Sequence, residues 1–309
     1  MQKKEMQQSV LKWVYLFALS LVWGSSFILI KKGLVGLTPL QLGSLRICLA
    51  ALFLMIIGAR SLKKIPKASW RYIILSAFLG SFFPAYLFAF AELEVDSAVV
   101  SILNSTVPIL AIIVGSLFFA QKASKKQTIG VIIGLIGSII LIGNGATTNQ
   151  DQNYWFTLLP LIATTMYAFN VHIIKTYLQD ISALSITVGC FIVLFFPALF
   201  YLLFSGFFTT RLLNDPIVYE SMGYIAILAI VGTGIAKILF NRLVQLSSPV
   251  FTTSVTYLIP VVALFWGFLD GEKFSWMQAF GGFVVLIGVF YANKRKTRKS
   301  YKQAKQINT

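Results

Sequence analysis

The chain has 309 residues, 57% of them hydrophobic and 12% charged, with 26 Lys and Arg against 10 Asp and Glu. Soluble domains carry roughly 45–50% apolar and about 25% charged residues. A water-soluble globule is therefore excluded, as is a disordered chain, which needs low hydrophobicity, and what remains is an all-α integral membrane protein.

A helix of about 20 residues crosses the roughly 30 Å hydrocarbon layer. Ten apolar stretches of that size follow one another: 13–31, 39–58, 71–91, 97–120, 127–144, 154–174, 182–204, 222–243, 250–269 and 276–293. Turn and charge signals separate them, from Gly36 to Pro39, at Lys63-Lys64-Ile65-Pro66-Lys67, at Lys125-Lys126, and from Gly143 to Asn153. The first run follows Lys3, Lys4 and Lys12 but has span length and no A-x-A cleavage site, so it reads as a retained helix. Segment 205–221, with Phe207 and Phe208 ahead of Arg211, Asp215 and Pro216, reads as an interfacial loop. Trp13, Trp70, Trp155 and Trp276 fall at span ends, where an aromatic belt belongs. Cys48 and Cys190 sit inside apolar runs as small filler.

The net charge of +16 would suit nucleic acid if it formed one soluble patch, but its distribution follows the spans. With the N-terminus inside, 20 of the basic residues fall on the inner side, including seven between Lys294 and Lys305, and four fall outside. Eight of the ten acids, among them Glu92, Glu94, Asp96 and Asp270, fall outside. Excess Lys and Arg mark cytoplasmic loops, so both termini are expected in the cytoplasm. The basic tail then faces anionic membrane lipids, and nucleic acid is not expected as a partner.

The chain also repeats itself. Gly80 to Pro108 and Gly232 to Pro260 are both separated by 28 positions, and Gly115 and Gly267 follow the two prolines at the same distance. Gln121-Lys122-Ala123-Ser124 matches Glu272-Lys273-Phe274-Ser275, and Trp23-Gly24-Ser25-Ser26 to Lys31 matches Tyr167-Ala168-Phe169-Asn170 to Lys175. Five spans per copy is an odd number, so the second copy enters the membrane upside down. Ten transmembrane helices in two inverted five-helix repeats are the architecture of alternating-access carriers. The expected organisation is a cytoplasmic N-terminus (1–12), a first repeat (13–144), an external linker (145–153), a second repeat (154–293) and a basic tail (294–309).

These residues resemble the EamA-type permeases of the drug/metabolite transporter superfamily. The resemblance is carried by Trp23-Gly24-Ser25-Ser26-Phe27 with Lys31, by Arg46, by Ala98 to Pro108, and by Leu269-Asp270-Gly271-Glu272 through Gly288. It covers roughly 13–293, and departs from the family pattern at Gln121, where a Glu usually closes the fourth span. The resemblance implies ten helices, two EamA domains and movement of a small metabolite or drug, frequently outward.

Polar residues kept at membrane depth usually face the bundle interior. Asn104 lies four residues before Pro108, and Thr256 and Tyr257 lie just before Pro260. Such prolines break helices and free carbonyls toward a cavity. Trp23, Ser26, Tyr167 and Asn170 come from the repeat-related first and sixth spans. Tyr86 adds an aromatic face, and Lys237, whose repeat partner is Ala85, offers a charge for an anionic substrate group. Arg46 is the other intramembrane cation, equally explained by packing. The expected substrate-binding set is thus Trp23, Ser26, Tyr86, Asn104, Tyr167, Asn170, Lys237 and Tyr257. No carboxylate lies mid-span, so Glu92, His172 and Glu272 are the candidates for any proton coupling.

No cofactor, zinc site or nucleotide loop is implied. His172 is the only histidine, and the glycines at 130, 134, 137, 281, 282 and 288 sit mid-helix, where they let helices approach. An intramembrane hydrolase lacks its nucleophile and base. The expectation is a secondary transporter of the inner membrane for a small molecule, an amino acid or related amphipathic compound, exported as the resemblance implies; the alternative is a lipid or lipid-linked sugar translocase.

Overall fold

The computed structural model describes residues 2–95, 100, 103–143, 153–209, 214–269 and 276–293, and all regular structure among them is helical. In chain order the helices are α1 (Gln2–Gly24), α2 (Ser26–Gly33), α3 (Pro39–Gly58), α4 (Trp70–Ala77), α5 (Phe83–Glu94), α6 (Val107–Phe118) and α7 (Lys125–Gly143). The second half continues with α8 (Leu158–Tyr177), α9 (Ala183–Phe204), α10 (Pro216–Ile227), α11 (Ala236–Leu246), α12 (Pro249–Thr253), α13 (Val255–Leu269) and α14 (Trp276–Asn293). Two π-helical segments, Phe78–Phe82 and Leu228–Ile235, join α4 to α5 and α10 to α11 without ending the rod.

Read across these joints, six runs among the described residues are long and apolar enough to cross a membrane: Val10–Gly33, Pro39–Lys64, Lys67–Glu94, Trp155–Tyr177, Ala183–Phe204 and Pro216–Leu246. Val107–Phe118, Pro249–Val262 and Phe280–Ala292 are shorter apolar helices. Large side chains on the outer faces match a lipid environment: Ile56 is 85% exposed and Leu117 71%. In water such a surface would associate, whereas hydrocarbon tails solvate it.

Helix starts follow the sequence closely. Pro39, Pro108, Pro216 and Pro249 each lie in the first turn of a helix, where the missing N–H would have had no partner anyway. Thr38 and Gln41 form a reciprocal capping box at α3. The interfacial loop expected at 205–221 is corrected at its end. Asp215 accepts a hydrogen bond from the Ile217 amide at 2.9 Å, and Pro216 then opens α10, so the eighth run begins six residues earlier than hydropathy placed it. The acidic cap and proline outweigh the polar composition of that turn. Residues 145–152, 270–275, including Glu272, and the 294–309 tail lie outside the described residues.

α7 packs along α14, α3 along α9, α6 and α5 against α8, and α1 against α13. The α7–α14 contact is backbone to backbone. A Cβ on Gly288 would sit 2.4 Å from the Gly134 amide nitrogen, and one on Gly130 would sit 2.4 Å from that of Ala292. No side chain fits there, which accounts for the mid-helix glycines at 130, 137 and 288.

Candidate substrate site

Between the N-terminal and C-terminal helices lies a cavity with about 890 Å³ of empty volume, part of it continuous with the exterior. Its walls come from α1 and α2 (Trp23, Ser26, Phe27, Ile30), α3 (Arg46) and α5 (Pro84, Ala85, Phe88, Glu92). Asn104 and Val107, Tyr167 of α8, Gly232, Lys237 and Phe240, and Thr253, Val255, Thr256 and Ile259 close it from the other side. Most of this lining is apolar or aromatic, with a few convergent polar groups, as a small-molecule site requires.

The backbone explains how polar groups reach this wall. Pro84 has no N–H, so the carbonyl of Gly80, four residues earlier, loses its helical donor; the chain widens into the first π-helical segment, and Lys237 Nζ donates to that carbonyl. The second π-helical segment frees the Gly232 carbonyl, which accepts from Trp23 Nε1 at 3.0 Å. Pro260 likewise frees the Thr256 carbonyl, and Ser105 Oγ donates to it at 3.3 Å. Arg46 Nε donates at 2.7 Å to Thr233 Oγ1, also on the second π-helical segment. Each of these four contacts joins one half of the chain to the other.

The rings form one lined surface. Trp23 and Phe240 lie 5.3 Å apart, Phe88 and Tyr167 are stacked at 6.1 Å, and Lys237 Nζ lies 5.5 Å from the Tyr167 ring and 5.7 Å from Phe240. A cation held over two ring faces is stabilised in place without an acidic partner. Among the described residues, Glu92 is the only acidic one of the lining.

Of the residues expected at the substrate, Trp23, Ser26, Asn104, Tyr167 and Lys237 line this cavity, and so does Glu92. Tyr86, Asn170, Tyr257 and His172 are placed elsewhere, and all four share one cause. Each is a buried polar knob seated over a glycine of another helix. A Cβ would lie 2.7 Å from Tyr86 at Gly43, 2.5 Å from Asn170 at Gly80, 2.9 Å from Tyr257 at Gly134, and 2.6 Å from His172 at Gly115. Each knob is also hydrogen-bonded: Tyr86 to Ser44 at 2.9 Å, Asn170 Oδ1 from Ser76 at 2.6 Å, Tyr257 Oη to the Val131 carbonyl at 2.8 Å, and His172 Nε2 to the Ala111 carbonyl at 2.7 Å. Buried polar groups need such partners, and here interhelical packing supplies them, except at His172 Nδ1, which has none among the described residues. The break expected at Pro108 falls at Ser105-Thr106, just ahead of α6, while Pro260 lies inside α13 with the chain irregular at Ser254.

Phe88 and Phe240 are not singled out by hydropathy, because one more Phe in an apolar run carries no signal. Their register does carry one, since they occupy matching positions of the two copies, 152 residues apart, as do Ala85 and Lys237. Arg46 gains a definite place on the cavity wall. Gly80 followed by Pro84 marks the first freed carbonyl in the sequence itself.

The profile of the EamA-like transporter family matches the chain twice, at residues 11–143 and 154–294. An Escherichia coli protein named "Uncharacterized inner membrane transporter YedA" is 28% identical over 267 residues, covering 84% of this chain and 83% of that protein. A Salmonella typhimurium protein named "Probable amino-acid metabolite efflux pump" is 27% identical over 279 residues, covering 87% and 90%. A solved crystal structure superposes with a TM-score of 0.71 at 16% identity, over 96% of this chain and 98% of the other, so the helical arrangement is one already observed. With both halves matched and relatives aligned over most of their length, the chain is a membrane transporter that belongs to the EamA-like transporter family.

Proposed function

We propose that this protein is a secondary transporter that moves a small amphipathic metabolite, an amino acid or a close relative of one, out of the cell across the inner membrane by alternating access through the cavity. The observation that carries this reading is the wall itself: two cations, one carboxylate and several aromatic rings, contributed by both halves of the chain. Arg46 and Lys237 suit a carboxylate, and Trp23, Tyr167, Phe88 and Phe240 suit an apolar or aromatic side chain. Outward movement is drawn from the relative named as an efflux pump.

Two inverted five-helix repeats give the movement. In support, the two π-helical segments fall at repeat-matched glycines, Gly80 and Gly232, and repeat-matched Asn170 and Ser26 pack against them. Rocking one repeat against the other would exchange the cross-half contacts on Gly80 and Gly232 and reopen the cavity on the opposite face. The distribution of basic residues supports a cytoplasmic position for both termini.

The test is counterflow in liposomes of purified protein, with radiolabelled amino acids, nucleosides, sugars and quaternary cations in separate trials. Uptake driven by preloaded neutral amino acids, lowered at least tenfold by Lys237→Met, is the expected result. Counterflow confined to sugars or nucleosides would overturn the substrate class. Silence for every soluble compound, with movement of a lipid-linked sugar, would replace the reading by a translocase.

A further inference from the structure

Glu92 stands apart from every other polar group of the cavity. Its two carboxylate oxygens are shielded from solvent, and neither has a hydrogen-bond partner among the described residues. Ser61 Oγ, Ser138 Oγ and His172 Nδ1 are also buried without a partner among the described residues, but none of them lines the cavity, and Glu92 is the one group of this set that is a carboxylate. The surroundings at the end of α5 are apolar: Phe27, Phe88, Phe156 and Leu159 pack against Ala91, Val95 and Val100. The charge that acts on it is Arg46 of α3, whose Nε is already engaged by Thr233. Tyr167 of α8 and Lys237 of α11 are the other titratable groups on the cavity wall.

A carboxylate in such a place is not stable alone; it needs a positive partner at hydrogen-bond distance. Two candidates of the right size exist: a proton, or the ammonium of a bound molecule. We infer that Glu92 is a cation-exchange subsite, which holds a proton while the cavity is empty and gives it up when the ammonium group of the substrate arrives. This rests on the transport reading of the cavity and adds the polarity with which the substrate lies. Its ammonium points to Glu92, and its carboxylate to Arg46 and Lys237. The step balances without any covalent change in the substrate: a Glu92 carboxylic acid and an ammonium become a carboxylate–ammonium pair and one proton released to water. Each turnover that carries a zwitterion one way then returns a proton the other way, so a proton gradient drives transport.

The proton half can be tested without any substrate. Dicyclohexylcarbodiimide reacts with protonated carboxylic acids in apolar surroundings, and its adduct is located by peptide mass. In purified, empty protein, Glu92 should be modified at neutral pH and progressively less as pH rises, while Glu92→Gln shows no adduct in that peptide and melts at an unchanged or higher temperature. Absence of the adduct at every pH, in protein that melts normally, overturns the inference. The exchange half uses L-phenylalanine at concentrations that raise the melting temperature; it should slow modification of Glu92 at least fivefold. A modification rate that it leaves unchanged also overturns the inference. Failure of L-phenylalanine to shift the melting temperature counts against the amino-acid reading, and the pH series then still decides whether Glu92 holds a proton. In liposomes, Glu92→Gln should weaken counterflow, raising its half-saturating substrate concentration, and whatever counterflow remains should no longer respond to a pH gradient; a pH response equal to wild type refutes the exchange.

Discussion

At the scale of single residues, two kinds of buried polar side chain occur in this bundle, and they differ in what their partners are. Trp23, Arg46 and Lys237 face the cavity and cap groups on the π-helical segments of the opposite half. Trp23→Phe keeps the ring against Phe240 but leaves the Gly232 carbonyl without its donor. An unsatisfied buried acceptor costs about 1–3 kcal/mol, so a lower melting temperature in detergent is expected, together with slower transport. Tyr257→Phe is the contrasting case. It loses one hydrogen bond, worth about 1 kcal/mol, and because the ring packs over Gly134 rather than on the cavity, the transport KM should stay where it was. A changed KM in Tyr257→Phe would put that residue back at the substrate.

At the scale of elements, the glycine sockets decide how closely helices approach. His172 occupies the space above Gly115, so Gly115→Ala forces the imidazole aside and should destabilise by about 1–3 kcal/mol. Because the clash is with a side chain, the double variant with His172→Ala should recover part of that loss, which thermal melting of the two proteins can show. Gly288→Ala differs in kind. Its Cβ would meet the backbone of Gly134, which no second side-chain substitution can move, so no partner truncation should rescue it. Rescue of Gly288→Ala by trimming nearby side chains would contradict the backbone contact between α7 and α14.

At the scale of the whole molecule, the orientation proposed from the charge distribution is testable by accessibility. In a Cys48→Ser and Cys190→Ser background, Lys64→Cys should react with an impermeant maleimide only after the cells are opened. Asp215→Cys should react from outside in intact cells. Both positions reacting from the same side would break the inverted arrangement. The starting cysteines are buried, so their removal should leave little background labelling to subtract and little change in packing.

Much of this architecture was legible in one dimension. Apolar runs of span length need only composition and a count, because hydrocarbon thickness fixes helix length independently of what packs beside it. Registered matches between the copies reveal duplication from spacing alone, and Gly80, Gly232, Ala85 and Lys237 could all be paired before any contact was known. The helix start at Pro216 was misjudged by six residues because a cap acts through one hydrogen bond that hydropathy does not weigh. The division of polar residues between cavity and packing was not legible. Asn104 and Asn170 look alike in sequence, yet one lines the cavity and the other fills the notch above Gly80.

What the sequence determined alone was therefore the solvent, a helical bundle in lipid, and the twofold plan of the chain, since both follow from local composition and spacing. What only the tertiary structure decided was which polar groups remain for a substrate. That choice depends on the residue standing opposite on a distant helix: a glycine there absorbs the side chain into packing, a freed carbonyl turns it toward the cavity wall, and Glu92, with neither, is left with its oxygens unpartnered.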